Sequence, residues 1–470
     1  MRQPVILDID LGEFGVCVGS LLLVLGVGAP ALAADMPALR ASTLLGEPRY
    51  VGPVFESDEV DPLHLEPSRS LSTASAAVAA ETRGSDPLDL PLGKGAGSRL
   101  RVSEAAGYDS NVFRLSGAAA ARAAGLAHMG DWISTTRVGA GLEKFYAGQQ
   151  LALDYELSMA RYGAFDFLNH NASTAVGRWR WTAGPNWKGE LSTEYREALD
   201  DFAYYRSSQR SLGVTRQNAG SAFYRVMPGW ELGVQAAQGN RRYPDGTRPS
   251  NEIDFSGVDT VLRYVPDSGA MVAITRRKAR GQYPNLPTDA GALAEKRFEQ
   301  EEILVEGSLP LRSGTRGLMR LGTISRSYGR YPQNDFSGRN GLVGLEWQLT
   351  PRMQVTGTLR YDVEPAQDFV SSYVAIKRLG AGLMWDYSPK LRIEGRAEWR
   401  DAEYRGDPGF GTRAVARRQD QGLLTSVIAT WQVAAHTRWV TSLARENRDS
   451  TEAGLSFNYW TLAGSLQWVF

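Results

Sequence analysis

Eight short turns divide most of the chain into long segments in which apolar and polar residues alternate. Alternation with a period of two is typical of β-strands, since successive side chains point to opposite faces of a sheet. Each turn therefore predicts a hairpin, and the series predicts one large antiparallel sheet. The turns lie at residues 146–150, 183–187, 227–230, 266–269, 312–315, 349–352, 388–390 and 434–437.

The alternating strands have one apolar and one strongly charged face. In residues 391–400, for example, Leu391, Ile393 and Trp399 alternate with arginine and glutamate. A soluble β-sandwich would show the same alternation, with its charged face in water. In a membrane, an arginine or lysine facing lipid at mid-bilayer costs about 2–4 kcal/mol. The charged face of a membrane barrel must therefore line a wet lumen.

The charged positions on these faces are our candidates for the lumen wall: Lys188, Glu190, Glu194, Arg196, Arg320, Arg378, Arg392, Glu394, Arg396, Glu398 and Arg400. Ion-paired, solvated walls explain their carboxylates better than general acid–base catalysis does, because mixed charges are how pores set selectivity. Two alternatives remain open for the arginines. They guide an anionic solute, or neighbouring carboxylates neutralise them.

The unequal lengths of the connections, an aromatic belt and the last strand favour a transmembrane barrel over a sandwich. The hairpins supply sixteen strands, and residues 98–108 and 460–470 add one at each end, for about eighteen. The connections opposite the short turns are longer and polar, as in outer-membrane barrels. The last strand ends in Phe470 and resembles the terminal strand by which such barrels are recognised for assembly. Aromatic residues collect near the turns as an interfacial belt: Tyr146, Trp181, Trp187, Trp230, Tyr264, Trp347, Tyr387 and Trp431.

The sequence predicts three segments. Residues 1–33 read as a signal peptide, with an apolar run followed by small residues at Ala31 and Ala33. Residues 34–97 are rich in proline, serine and alanine, which predicts a flexible periplasmic arm, either a passive linker or a segment that plugs the barrel or binds a partner. Residues 98–470 form the all-β barrel, an antiparallel transmembrane β-barrel in the outer membrane of a Gram-negative bacterium.

The composition excludes several function classes. The 52 basic and 52 acidic residues cancel, which gives no electrostatic basis for binding nucleic acid. The four histidines show neither metal-ligand spacing nor a neighbouring serine nucleophile, and the only cysteine, Cys17, falls in the signal peptide. We therefore expect no enzymatic activity, no cofactor and no metal site.

The chain contains a short motif where the first strand ends, Gly-Tyr-Asp-Ser-Asn-Val-Phe-Arg at residues 107–114. The hydrogen-bonding side chains of Asp109 and Asn111 predict a capped turn. The alternative is a sugar contact at the pore mouth, with Tyr108 and Phe113 stacking on sugar rings and Arg114 beside them.

The motif, the hairpin spacing and the aromatic end resemble a β-barrel porin family found with exopolysaccharide biosynthesis and export systems. The resemblance covers residues 98–470 and brings no established catalytic residues. It implies a passive conduit for an exopolysaccharide, with outer-membrane lipid, the hydrophilic polysaccharide and periplasmic or inner-membrane synthesis proteins as partners. Two other functions remain open: a small-solute diffusion porin, and a surface protein or adhesin that acts through its loops.

Overall fold

A computed structural model describes residues 97–470, apart from residues 204–207, 287–296, 313, 367–370 and 407–416. The predicted signal peptide at residues 1–33 lies outside the described residues. So does the predicted arm at residues 34–97, except for Gly97, which begins the first strand.

Nearly all of the described chain is β-strand. The strands are β1 (Gly97–Asp109), β2 (Asp131–Tyr146), β3 (Gln149–Tyr162), β4 (His170–Ala183), β5 (Trp187–Leu199), β6 (Leu212–Met227), β7 (Trp230–Arg242), β8 (Ile253–Tyr264), β9 (Met271–Gln282), β10 (Arg297–Arg312), β11 (Thr315–Ser327), β12 (Phe336–Thr350), β13 (Met353–Pro365), β14 (Tyr373–Ser388), β15 (Leu391–Arg405), β16 (Gln419–Ala434), β17 (Thr437–Ser450) and β18 (Phe457–Val469).

The strands form one closed antiparallel sheet, in which each strand pairs with its neighbours in sequence. β1 also pairs with β18, so the sheet has no free edge. Backbone bonds of 3.0 and 2.9 Å between Leu100 and Phe470 continue this seam. Closure satisfies the backbone polar groups, as a membrane requires. The prediction of an antiparallel barrel with about eighteen strands is confirmed.

The connections at the two ends of the barrel differ in length. The eight predicted turns leave two to six residues between strands, whereas the nine connections at the other end have six to twenty-one. In the turn between β2 and β3, Ala147 and Gly148 both have positive φ, at 47° and 78°. This is the pattern of a type I′ hairpin turn, whose twist matches that of the strands.

The longer connections contain the few helical segments. One α-helix, α1 (Ala118–Ala123), and three 3-10 turns (Asp166–Leu168, Pro249–Asn251 and Pro332–Asn334) lie there. No helix in the described part of the chain has the length and apolar character needed to span a bilayer.

The outer face of the barrel is mostly apolar. Outward side chains such as Leu383, Val427, Leu443 and Leu462 are exposed, as a lipid-facing surface requires. Most of the predicted aromatic belt is also exposed, including Tyr146, Trp187, Trp230, Tyr264, Trp347, Tyr387 and Trp431. The alternate residues point inward and carry most of the charges of the wall.

Candidate functional site: the lumen wall and its mouth

The structure places the lumen-wall candidates on the inner face, where they alternate with exposed outward residues such as Leu191, Leu321, Leu379 and Trp399. Their inner-face positions are distributed over four strands. They are Lys188, Glu190, Glu194 and Arg196 on β5, Arg320 on β11, Arg378 on β14, and Arg392, Glu394, Arg396, Glu398 and Arg400 on β15.

Between β5 and β11 the inner face is a network of buried ion pairs. Arg277 donates two hydrogen bonds to Asp259, both 2.9 Å long, and the two side chains are only 5% and 4% exposed. Arg320 binds Glu306 at 2.6 Å. Glu231 accepts a hydrogen bond of 2.5 Å from Arg263 and forms an ion pair of 2.5 Å with Lys188. Such bidentate and shared pairs fix the side chains in place and neutralise their charge.

These pairs line a recess in the wall. It is narrow, with a volume of about 20 Å³, and is bordered by Asp259, Arg263, Arg277, Glu306 and Arg320, together with apolar side chains. Because both charge signs are present and paired, the recess is polar without a dominant charge.

The inner face of β15 presents its charges to water instead. The side chains of Arg392 and Arg396 are 48% and 54% exposed, and Glu398 is 43% exposed. Arg392 binds Asp386 at 2.7 Å, while Arg396 lies 3.8 Å from Glu394. Solvent-exposed pairs of this kind are weak, so these groups can exchange partners with passing ions.

The motif at residues 107–114 forms a buried polar cluster. Arg114 donates to both carboxylate oxygens of Asp109 at 2.9 Å, and the two side chains are 0% and 2% exposed. The Asn111 side chain accepts from the Leu115 amide at 2.9 Å, which closes the turn. Burial alone would lower the pKa of Arg114, but the neighbouring Asp109 carboxylate outweighs it and raises that pKa.

The same cluster extends to the last two strands. The Arg114 guanidinium lies 3.5 Å from the ring centre of Tyr459, an inward residue of β18. The Tyr459 hydroxyl donates to Glu446 on β17 at 2.8 Å. Arg114 therefore joins the β1–β2 connection to the inner wall of the barrel, through a cation–π contact and an ion pair.

Phe113 is buried in an apolar cluster made by three connections. Its ring centre lies 4.9 Å from that of Phe165 and 4.8 Å from that of Phe202. Ile133 and Leu168 belong to the same cluster. Phe113 is 4% exposed, so its ring is not available to stack on a sugar.

Tyr108 points the other way. It lies on the outer face between Trp132 and Trp460, with ring centres 5.4 and 5.2 Å apart. An aromatic group on the outer wall suits the membrane interface, and Tyr108 does not line the lumen. Asp109, Asn111, Phe113 and Arg114 thus hold the mouth together, and none of the five motif residues faces the channel as a sugar-stacking platform.

The connection between β5 and β6 folds into the barrel mouth. Ala203 packs against Phe457 and Tyr459, both on the inner face of β18. The Ala203 carbonyl accepts a hydrogen bond of 3.0 Å from Arg448 on β17. We call residues 200–203 the mouth loop. Since β1–β4 separate its own hairpin from β17 and β18, the mouth loop crosses part of the opening and narrows it.

The sequence analysis missed the mouth loop. One local signal could have indicated it: Phe202 begins an apolar and aromatic run, Phe-Ala-Tyr-Tyr, within an exterior connection whose other residues are polar. Its partners, Phe113 and Phe165, lie in two other connections, and no sequence period relates them.

The described residues hold no group of three or more histidine, cysteine, aspartate or glutamate residues placed to bind a metal ion. His170, at the start of β4, contacts the Leu168 carbonyl at 2.8 Å and lies in the wall of the mouth.

A closed barrel of eighteen antiparallel strands, apolar outside and charged within, defines a class: the outer-membrane β-barrels of Gram-negative bacteria. Its charged, water-accessible interior is the architecture of a channel.

No protein family model matches the chain, and no curated protein sequence matches it. Solved structures do. The outer membrane protein OpdK from Pseudomonas aeruginosa is 12% identical, with a TM-score of 0.47 over 80% of this chain and 99% of that one. OccK9 (OpdG) from the same species is 10% identical, with a TM-score of 0.47 over 80% and 98%.

A BenF-like porin from Pseudomonas fluorescens Pf-5 is 12% identical, with a TM-score of 0.46 over 80% of this chain and 99% of that one. At such low identity, the architecture and the site are established by this chain's own strand pairing and side-chain contacts.

Proposed function

We propose that the barrel is a non-enzymatic diffusion channel for small hydrophilic solutes, with a size limit set by the mouth loop. The observation that carries the proposal is the hydrogen bond from Arg448 to the Ala203 carbonyl, together with the packing of Ala203 on the inner face of β18. A connection held across the opening restricts wide polymers more than small solutes.

The lumen wall also supports this function. Paired charges between β5 and β11 and exposed charges on β15 give a polar surface on which a hydrated solute finds both donors and acceptors. No strong excess of one charge is present among these pairs, which favours weak selectivity.

Export of an exopolysaccharide, the function implied by the family resemblance, remains a prediction. Within that resemblance, the step from a pore to a polysaccharide conduit rests on the motif at residues 107–114. The contacts of Asp109, Asn111 and Arg114 give that motif a structural role at the mouth. The motif therefore gives no independent support for a polymer substrate.

Uptake and secretion assays distinguish the two functions. We expect liposomes containing the barrel to swell in small sugars and to swell less as the sugar becomes larger. We also expect a deletion strain to secrete polysaccharide normally. Loss of surface polysaccharide with unchanged small-solute permeability would overturn the proposal and favour export. Loss of surface attachment alone would favour an adhesin.

Charge reversal on β15 is expected to change ion selectivity. In the variant Arg392→Glu, Arg396→Glu, two exposed cationic side chains of the lumen become anionic, so the channel should shift towards cations. The reversal potential in planar bilayers under a salt gradient measures this shift. It should shrink at high salt, since the screening length falls to about 3 Å at 1 M.

The matched control is Arg445→Glu, which reverses an exposed arginine on the outer face of β17. It should leave the reversal potential unchanged. Equal shifts for the two variants, or none for either, would show that β15 does not line the conducting path.

A further inference from the structure

The outer face of β9 and β10 carries a cluster of charged side chains, whereas the outward residues of the neighbouring β11 are uncharged. On β9, only Val272 and Ile274 are outward apolar residues. Above them the outward positions are basic, namely Arg276, Lys278 and Arg280, which we call the basic column. Next to it, Glu299 and Glu301 point outward from β10, and we call them the acidic pair.

β18 shows what an uninterrupted lipid-facing strand looks like in this barrel. Its outward residues run from Trp460 through Leu462 and Leu466 to Trp468 without a charge. That stretch of nine residues is long enough for an apolar belt about 25 Å tall. On β9 the apolar stretch is far shorter, so lipid chains would contact the basic column.

Three of these charged side chains are more than half exposed. The side chains of Arg276, Lys278 and Glu301 are 60%, 59% and 55% exposed. Lys278 lies 2.8 Å from Glu301, and Arg276 lies 3.7 Å from it. Arg280 donates to the Ser256 hydroxyl at 3.0 Å. Among the described residues, Glu299 has no cationic partner. Exposed arginine and lysine are costly on a lipid-facing wall, which argues that another polar surface covers this one.

The strand register makes the patch self-complementary. Lys278 lies directly opposite Glu301, and Arg280 lies directly opposite Glu299. The basic column and the acidic pair therefore stand side by side at nearly the same height. A two-fold axis along the membrane normal, passing between β9 and β10, places each basic column against the acidic pair of a second copy. This is the arrangement that an isologous contact requires.

The strands on either side allow two walls to approach closely. Ser256 and Thr260 point outward from β8, and Thr323 and Ser325 point outward from β11. Their side chains are short and hydroxyl-bearing, so they leave room for the longer side chains of the basic column and the acidic pair.

We propose that the charged outer face of β9 and β10 is the interface of a two-fold symmetric dimer of this barrel, in which the basic column of each copy pairs with the acidic pair of the other. The partner is a second copy because the patch carries both charges in a self-complementary order. An anionic glycolipid would match the basic column but not the acidic pair. The proposal is independent of the transported solute.

Cysteine cross-linking in native outer membranes tests the dimer. In a Cys17→Ser background, Ile303→Cys puts a thiol on β10 beside the acidic pair, at a position that is 54% exposed. This substitution leaves every charge in place. Leu443→Cys is the control on β17, at a position 51% exposed. We expect a short bis-maleimide to yield a covalent dimer for Ile303→Cys and only monomer for Leu443→Cys.

A charge exchange makes the test specific. Adding Lys278→Glu to Ile303→Cys should lower the cross-linked fraction about tenfold or more, because like charges then meet across the axis. Adding Glu301→Lys as well restores the opposite charges and should restore the dimer. Heat-modifiable migration on gels verifies that each variant is folded.

Three results would overturn the proposal. They are equal cross-linking at Ile303→Cys and Leu443→Cys, no cross-linking of the folded Ile303→Cys barrel, and a monomer that retains a phosphorylated glycolipid lost on Lys278→Glu. The last result would identify the lipid as the occupant of the patch.

Discussion

The variant Arg114→Met is expected to conduct more current than the wild-type barrel and to admit larger sugars. The substitution leaves the Asp109 carboxylate without its bidentate partner in a site where both side chains are 2% exposed or less. Breaking a buried pair in this way costs about 3–5 kcal/mol. It also removes the guanidinium from the Tyr459 ring, and with it the link between the β1–β2 connection and the inner wall.

Single-channel recording and liposome swelling measure this effect. Phe202→Ala is a second variant that leaves the motif intact and acts from the side of the mouth loop. Losing a buried phenylalanine ring costs about 3–5 kcal/mol, so it too should release the loop and raise conductance. Arg445→Met, at an exposed position on the outer face of β17, is the control and should change neither property. Unchanged conductance in both mouth variants would mean that the mouth loop does not limit the channel.

Asp259→Leu is expected to cause the largest loss of barrel stability among single substitutions in the lumen wall. It removes the two hydrogen bonds that the carboxylate accepts from Arg277, while that guanidinium stays buried. The expected loss in the free energy of unfolding is about 3–5 kcal/mol. Denaturant unfolding of the barrel in lipid vesicles, followed by tryptophan fluorescence, measures it.

Arg396→Leu provides the comparison, since Arg396 is also a lumen arginine but is 54% exposed and 3.8 Å from its carboxylate. Its loss should cost about 0–1 kcal/mol, as for other solvent-exposed pairs. Similar losses for the two variants would show that burial does not decide the contribution of these pairs.

The sequence predicts the barrel well because its signal is local. Alternation within residues such as Leu391, Ile393 and Trp399 identifies both faces of a strand without knowledge of its neighbours. The same reasoning placed Arg392 and Arg396 on the inner face, where the structure has them. Because the period of a strand is two, one correct assignment of a face assigns every second residue along that strand.

Which charges are neutralised could not be predicted in this way. Arg277 and Arg396 are both inward arginines, yet one is paired within a buried network and the other is half exposed. The difference depends on the register between strands and on which neighbours fill the space around each side chain. The alternation within a single strand gives no information about the register or about these neighbours.

By itself, the sequence determined an outer-membrane barrel of about eighteen strands, its apolar and charged faces, and the turns at one end, since all of these follow from period and turn chemistry along one segment. Only the tertiary structure decided that Arg114 and Phe113 hold the mouth together, that the mouth loop reaches β17 and β18, and that the basic column stands beside the acidic pair. Those contacts join residues far apart in the chain, and closure of the barrel brings them together.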